Sequence, residues 1–143
     1  MRVGSTLRRI MLTRPFLFAA AAAVIVVACS NSNSPGGDLR SGMWGGPSVG
    51  LSVEPTRVNF LFDCAGGSFE GTIPVGAGGR FDVVGTFING GNARDVDHTP
   101  RPARYSGRIS GSRIAFTRFL LDGSLPDASF SAQFGAAPQV VAC

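Results

Sequence analysis

The sequence predicts an all-β domain, an eight-stranded antiparallel up-and-down barrel, over residues 42–143. Short runs rich in Val, Ile, Phe and Thr are separated by breaks containing Gly, Pro or Asp at intervals of about ten residues, a spacing typical of such folds. No run shows the period of an amphipathic helix. Most breaks are two to six residues long, which favours hairpin connections between sequential strands. A two-sheet β-sandwich is the alternative.

Eight strands are expected, and several alternate in the way that a half-buried strand requires. Val58, Phe60 and Phe62, for example, share one face of the second strand. Closing the meander into a barrel removes both exposed edges, and Gly85 and Gly107 fit the sharp bends of a small barrel. The expected strands cover residues 44–53, 57–64, 67–75, 80–88, 103–110, 112–121, 128–135 and 138–143.

Arg118 has two possible orientations in the strand "IAFTRFLL". The phase that buries Ile114 and Phe116 also sends Arg118 inward, but both faces of this strand are apolar. The opposite phase, or a bulge that resets the register, places Arg118 on the outer face, and we favour this orientation. If Arg118 points inward, it must be paired or hydrogen-bonded, and it would then cap the barrel end or meet an acidic group of a ligand.

Residues 1–28 have the features of a secretory signal peptide. Four arginines and no acidic residue precede an unbroken apolar run over residues 16–28, which ends at the small residue Ala28. This run of 13 residues is too short to cross a bilayer core as a helix, which takes about 20 apolar residues. We therefore expect the segment to be cleaved off.

The stretch "VVACS" at residues 26–30 resembles the lipobox of bacterial lipoproteins. The resemblance implies that Cys29 receives a diacylglyceryl group and becomes the first residue of the mature protein. Two acyl chains are enough for stable anchoring in a membrane. In a Gram-negative cell, Ser30 after the cysteine would favour the outer membrane, with the domain facing the periplasm or the surface. An ordinary secreted protein cut nearby, or an uncleaved helix, is the alternative.

Residues 29–41 are expected to be the lipidated cysteine and a flexible tether. The stretch "SNSNSPGGDLRS" has no apolar periodicity and has the Ser, Asn, Gly and Pro content of a connector. The tether would carry the domain of residues 42–143 clear of the lipid headgroups.

The chain after residue 28 carries no excess charge. The sequence has 13 basic and nine acidic residues, and four of the basic residues lie within residues 1–28, so nine of each remain. Phosphate binding requires a sustained basic field. Nucleic acid is therefore not expected as a partner.

Two cysteines remain after cleavage, Cys64 and Cys143. An even number of cysteines in an exported domain predicts a disulfide bond, which here would close a loop over a sequence separation of 79 residues. Such a bond would attach the last strand to the barrel. The alternative is a buried free thiol at Cys64 and a second free thiol at the C-terminus.

The tripeptide Gly42-Met43-Trp44 resembles the opening of the first strand in lipocalins and the wider calycin group. The resemblance implies an eight-stranded barrel in which Trp44 closes one end, with Arg118 as a conjectural partner for the indole. The longer string from "WGG" to "RPARYSGRISG", residues 44–111, is similar to a group of small bacterial proteins, and this similarity implies a single β domain without implying a function.

Two functions follow as hypotheses from a lipid-anchored barrel. The first is a binding module of the cell envelope for a small apolar molecule, and the second is a packed structural or interaction lipoprotein that contacts an envelope partner. The candidate ligand-binding residues, which would either line a cavity or fill a solid core, are Trp44, Phe60, Phe62, Phe81, Phe87, Tyr105, Phe116 and Arg118.

The sequence offers little for catalysis or for a cofactor. "GPSVG" at residues 46–50 matches the Gly-x-Ser-x-Gly pattern, but that motif requires a strand-to-helix turn, and no helix follows here. The long loop over residues 89–102 contains Asp95, Asp97 and His98 as weak metal candidates, although Ca²⁺ needs six to eight oxygen ligands. We therefore expect no enzyme activity, no cofactor and no metal.

Replacing the lipobox cysteine tests the anchor. In Cys29→Ser, we expect the loss of acyl labelling and of globomycin-sensitive processing, because no other thiol stands at the cleavage site. The measurement is radiolabelled fatty-acid incorporation and precursor size on a gel. Unchanged processing would contradict the lipoprotein hypothesis.

Overall fold

The structure, a computed structural model, describes residues 37–91 and 97–143. In this part of the chain, eight strands form a closed antiparallel barrel in the order β10-β2-β3-β4-β5-β7-β8-β9, and β1 and β6 form a separate two-stranded ribbon. The predicted eight-stranded barrel is confirmed. The strands are β1 Gly37–Asp38, β2 Gly42–Gly46, β3 Val49–Val53, β4 Arg57–Phe62, β5 Ala65–Glu70, β6 Pro74–Val75, β7 Arg80–Asn89, β8 Arg101–Ser110, β9 Arg113–Leu120 and β10 Ala128–Phe134.

The barrel has the expected number of strands, but three of the predicted strands were wrong. Residues 67–75 are not one strand, because they contain the end of β5 and then β6, which pairs with β1 outside the barrel. Residues 44–53 form the β2–β3 hairpin instead of one strand, and the chain turns at Ser48, whose φ of 58° lies in the left-handed region. Residues 138–143 form no strand and make only an isolated parallel bridge between Pro47 and Gln139. The barrel therefore closes between β10 and β2, one strand earlier in the chain than predicted.

Aromatic rings fill the interior of the barrel. Phe60 and Tyr105 stack almost parallel with ring centroids 4.0 Å apart, and Phe62 and Phe116 lie against the same pair. The Tyr105 hydroxyl donates a hydrogen bond to the Thr86 carbonyl oxygen at 2.7 Å, so the polar atom of this buried side chain is satisfied. Burial raises the pKa of Tyr105 well above its ordinary value, and the phenol is neutral at physiological pH.

The chain before β2 closes one end of the barrel, which we call the N-terminal end. Leu39 is only 3% exposed, and its N–H donates to the Ile73 carbonyl oxygen at 2.8 Å. Trp44 is buried, and its Nε1 donates to the Arg40 carbonyl oxygen at 3.1 Å. In the stretch before β2, Gly37 and Asp38 pair with β6, and Leu39 is the buried residue.

Residues 135–143 run along the outside of the barrel, and we call them the C-terminal strap. The Ser48 N–H donates to the Gln139 carbonyl oxygen at 2.8 Å, and the Cys64 N–H donates to the Val141 carbonyl oxygen at 3.0 Å. The strap lies so close to β3 that a Cβ atom on Gly50 would come within 2.6 Å of the Pro138 ring. Glycine is required at this position for that reason.

The predicted disulfide bond is confirmed. Cys143, the last residue of the strap, pairs with Cys64 in the β4–β5 turn, and their Cα atoms are 5.1 Å apart. The disulfide attaches the strap rather than a last strand, because the chain has already left the barrel after Phe134.

Removing this disulfide is expected to lower the thermal stability of the protein. The chain-entropy model gives about 4 kcal/mol for a bond that closes a loop of this length, and this figure is an upper value because residual structure in the reduced, unfolded chain lowers the effect. The measurement is the Tm of Cys64→Ser/Cys143→Ser against the oxidised wild type, with the reduced wild type as the control. Equal Tm values for the oxidised protein and the double variant would contradict a stabilising role.

Candidate functional site

A cleft of about 610 Å³ lies at the end of the barrel opposite the N-terminal end. It forms where the β4–β5 turn, the end of β7, the start of β8 and the β9–β10 connection meet. The residues on which the following argument depends are Asp63, Ala65, Phe87, Arg101, Arg118 and Leu125, all of which line the cleft.

Arg118 points inward, so the favoured outward orientation was wrong. The ladders of β9 with β8 and with β10 continue through Arg118 without a bulge, pairing it with Tyr105 and with Ala128. The period of two therefore holds along the whole strand and places Arg118 on the same face as the buried Ile114 and Phe116. The side chain is 8% exposed, at the base of the cleft.

The Arg118 guanidinium has few partners within the described residues. Its Nη2 donates to the Pro126 carbonyl oxygen at 3.1 Å, and its buried Nε has no hydrogen-bond acceptor. No carboxylate in the described ranges lies within ion-pair distance of it. The Cζ atom lies 4.5 Å from the centroid of the Phe87 ring, a cation–π contact.

Burial lowers the pKa of Arg118, and the Tyr105 and Asp127 interactions partly offset this effect. An arginine nevertheless stays protonated in proteins, because its ordinary pKa lies so far above neutrality. The base of the cleft therefore carries a positive charge that is mostly removed from water.

The carboxylates of the cleft are bound to donors other than Arg118. Asp63 accepts the Val141 N–H at 2.7 Å, and hydrogen bonds from Ser48 and Val141 lower its pKa. Asp97 accepts the Thr99 N–H at 2.9 Å and lies 2.8 Å from Arg101 Nη2. Hydrogen bonds from Thr99 and then Arg101 lower the pKa of Asp97 to about 2. Both carboxylates are ionised at neutral pH.

The metal candidates do not form a metal site within residues 37–91 and 97–143. Asp95 lies outside the described residues, Asp97 is bound to Thr99 and Arg101, and His98 Nδ1 lies 2.8 Å from the Asn89 carbonyl oxygen. In those two ranges, no three His, Cys, Asp or Glu side chains are grouped so that they could hold a metal ion.

The candidate ligand-binding residues divide into a core set and a cleft set. Phe87 and Arg118 line the cleft, whereas the other candidates pack in the interior: Trp44, Phe60, Phe62, Phe81, Tyr105 and Phe116. The conjecture that Arg118 is the partner of Trp44 was wrong. The Arg118 guanidinium lies over Phe87, and its hydrogen bond goes to Pro126. The polar partner of the indole is the Arg40 carbonyl oxygen.

Asp63 and Leu125 line the cleft and were not predicted from the sequence as site residues. Asp63 stands in the tight turn between β4 and β5, where an Asp-Cys pair between two apolar strands is a detectable turn signal. Leu125 belongs to the connection between β9 and β10, and only the closed register brings that connection to the cleft.

No protein-family model matches the chain, and neither the curated proteins nor the solved structures contain a match to it. Across the part of the chain that the structure describes, no helix has the length and apolar character needed to cross a bilayer.

Replacing Arg118 by methionine is expected to stabilise the barrel. Methionine can pack on Phe87 without burying a charge, and replacing poorly compensated buried charges by apolar side chains commonly raises the free energy of unfolding by about 1 kcal/mol or more. Denaturant unfolding of Arg118→Met against the wild type measures the change.

The matched control is Arg104→Met. Arg104 is exposed on the outer face and pairs with Asp82, and such exposed ion pairs contribute little to stability. If Arg118→Met unfolds at a lower denaturant concentration than Arg104→Met, Arg118 stabilises the fold, and the expected gain in the free energy of unfolding is contradicted.

Proposed function

We propose that the protein is a lipid-anchored binding module of the cell envelope, and that it takes a small molecule in the cleft at one end of the barrel. The observation that carries this proposal is the buried Arg118 guanidinium, which makes one hydrogen bond to the described chain and lies at the base of an open cleft. A buried group with unsatisfied hydrogen-bonding capacity in a native structure requires an explanation, and a ligand provides one.

The packing of the interior argues for binding at the barrel end rather than inside the barrel. Phe60, Tyr105 and Phe116 contact one another across the interior, so the residues first considered as the lining of a cavity fill that space themselves. The proposed site therefore uses only the part of the interior near Phe87 and Arg118.

The cleft supports binding better than catalysis. The ionisable residues Asp63 and Asp97 have lowered pKa values because other groups donate hydrogen bonds to them. A general base works best with a pKa near the operating pH, and these two carboxylates are far from it. We therefore do not propose an enzymatic reaction at this site.

The alternative is an interaction lipoprotein with a packed barrel, and one surface favours it. Leu61 on β4 is 47% exposed and Ile88 on β7 is 36% exposed, and both pair with Gly66 on the strand between them. The small Gly66 leaves these two apolar side chains on one continuous outer surface. Leu121, in the turn after β9, is a further exposed apolar side chain.

A fragment screen distinguishes the two functions. We would record backbone-amide NMR spectra of the mature chain, residues 29–143, carrying Cys29→Ser so that it is soluble without acyl chains. Shift changes at Ala65, Phe87 and Leu125 are expected for bound fragments. A screen in which every hit maps to Leu61 and Ile88, or in which no fragment binds, would contradict the proposed cleft function.

A further inference from the structure

We infer that the cleft recognises a small organic monocarboxylate with an aromatic or other apolar body, and that Arg118 binds the carboxylate. This inference rests on the proposed function and adds the chemical class of the ligand. The juxtaposition that carries it is a buried, under-bonded guanidinium at the base of a cleft that also presents the Phe87 ring and the Leu125 side chain.

The hydrogen-bonding capacity of Arg118 is not used up by the described residues and points to an acceptor on a ligand. A guanidinium has five N–H donors in a planar fork, and only the bond from Nη2 to Pro126 is made within the described residues. A carboxylate accepts two of these donors in parallel and also neutralises the charge. Neutral acceptors provide hydrogen bonds but do not give the buried charge a counter-ion within ion-pair distance.

The balance of charges in the cleft limits the ligand to one negative charge. Arg101 is already engaged by Asp97 at 2.8 Å and by Asp122 at 3.7 Å, so it offers little to a ligand. Asp63 remains negative on the cleft wall and would repel a second charge. Among the described residues, Arg118 is the cleft cation without an ion pair, and Asp63 and Asp127 are negative groups near it. This balance favours a monocarboxylate over a phosphate monoester or a dicarboxylate.

The rest of the cleft suits an apolar body of modest size. Phe87 supports the guanidinium from one side, and Ala65 and Leu125 contribute further apolar surface. A cleft of about 610 Å³ is within the range of ligand pockets, about 300–1,000 Å³. A ring or short chain would thus lie against these side chains while its carboxylate reaches Arg118.

The test compares three probes on the same soluble mature chain, residues 29–143 with Cys29→Ser. Phenylacetate has one charge, phenylacetamide has the same shape and no charge, and phenylmalonate carries two charges. We expect phenylacetate to bind at least tenfold more tightly than either of the other probes, since the loss of a charged hydrogen-bond partner costs about one order of magnitude or more in affinity. Amide shift changes at Ala65, Phe87 and Leu125 locate the site.

Two variants assign the effect to Arg118. Arg118→Met is expected to lose at least tenfold in affinity for phenylacetate and to bind phenylacetamide as the wild type does, whereas Arg104→Met should match the wild type for both probes. Arg118→Lys keeps the charge but not the planar fork, and it should give an intermediate affinity. If Arg118→Met does not fold, the lysine variant and the probe comparison still decide the question.

The possible failures are distinguishable. Equal binding of phenylacetate and phenylacetamide at the cleft, or an unchanged affinity in Arg118→Met, would overturn the carboxylate inference and leave the cleft as a binding site. If phenylacetate produces no shift changes at the cleft, the carboxylate inference fails, and a fragment screen without cleft hits then removes the proposed function as well.

Discussion

The closure of the barrel depends on the pairing of β10 with β2. This is the shortest ladder in the barrel, with Gln133 opposite Gly45 and Phe134 opposite Trp44. By contrast, β7 and β8 pair over eight positions. So short a ladder supplies little stability by itself, and the neighbouring parts of the structure reinforce it.

The reinforcement comes from residues that lie outside the ladder. The Trp44 and Phe134 rings meet edge to face with centroids 5.1 Å apart, and the Arg40 guanidinium lies over the Phe134 ring. The C-terminal strap then crosses β2, where Gly45 has no Cβ that would collide with the backbone of Ala137. The disulfide at the end of the strap therefore holds in place the segment that covers the weakest contact of the barrel.

The sequence predicted the barrel because alternation and short breaks are local signals. It did not predict the hairpin at Ser48, because residues on both sides of the turn are glycine-rich and the stretch reads as one continuous strand. It also assigned the last segment to a strand, since "PQVVAC" has strand composition. Whether such a segment pairs in the sheet depends on whether an edge is still open, and β10 had already closed the barrel.

The candidate site illustrates the same limit. The alternation of β9 predicts the inward orientation of Arg118 that the structure shows. The outward orientation was favoured instead because burying a charge is costly, and that choice was wrong. The turn at Asp63 has a local signal, but the meeting of Asp63 and Leu125 in one cleft does not, because they come from separate connections that meet only in the closed register. Sites built from loop residues at a barrel end are therefore harder to predict than the barrel itself.

The two ends of the barrel have different neighbours, and this polarity matters for access to the cleft. The chain enters through Leu39 and Arg40 at the N-terminal end, and the cleft opens at the opposite end. With the anchor proposed at Cys29, the eight residues 29–36 span at most about 29 Å when extended. The mouth of the cleft would then face the aqueous compartment and not the lipid. Its occupancy would follow the dissolved concentration of the ligand, and an amphipathic molecule would have to leave the bilayer before it could enter.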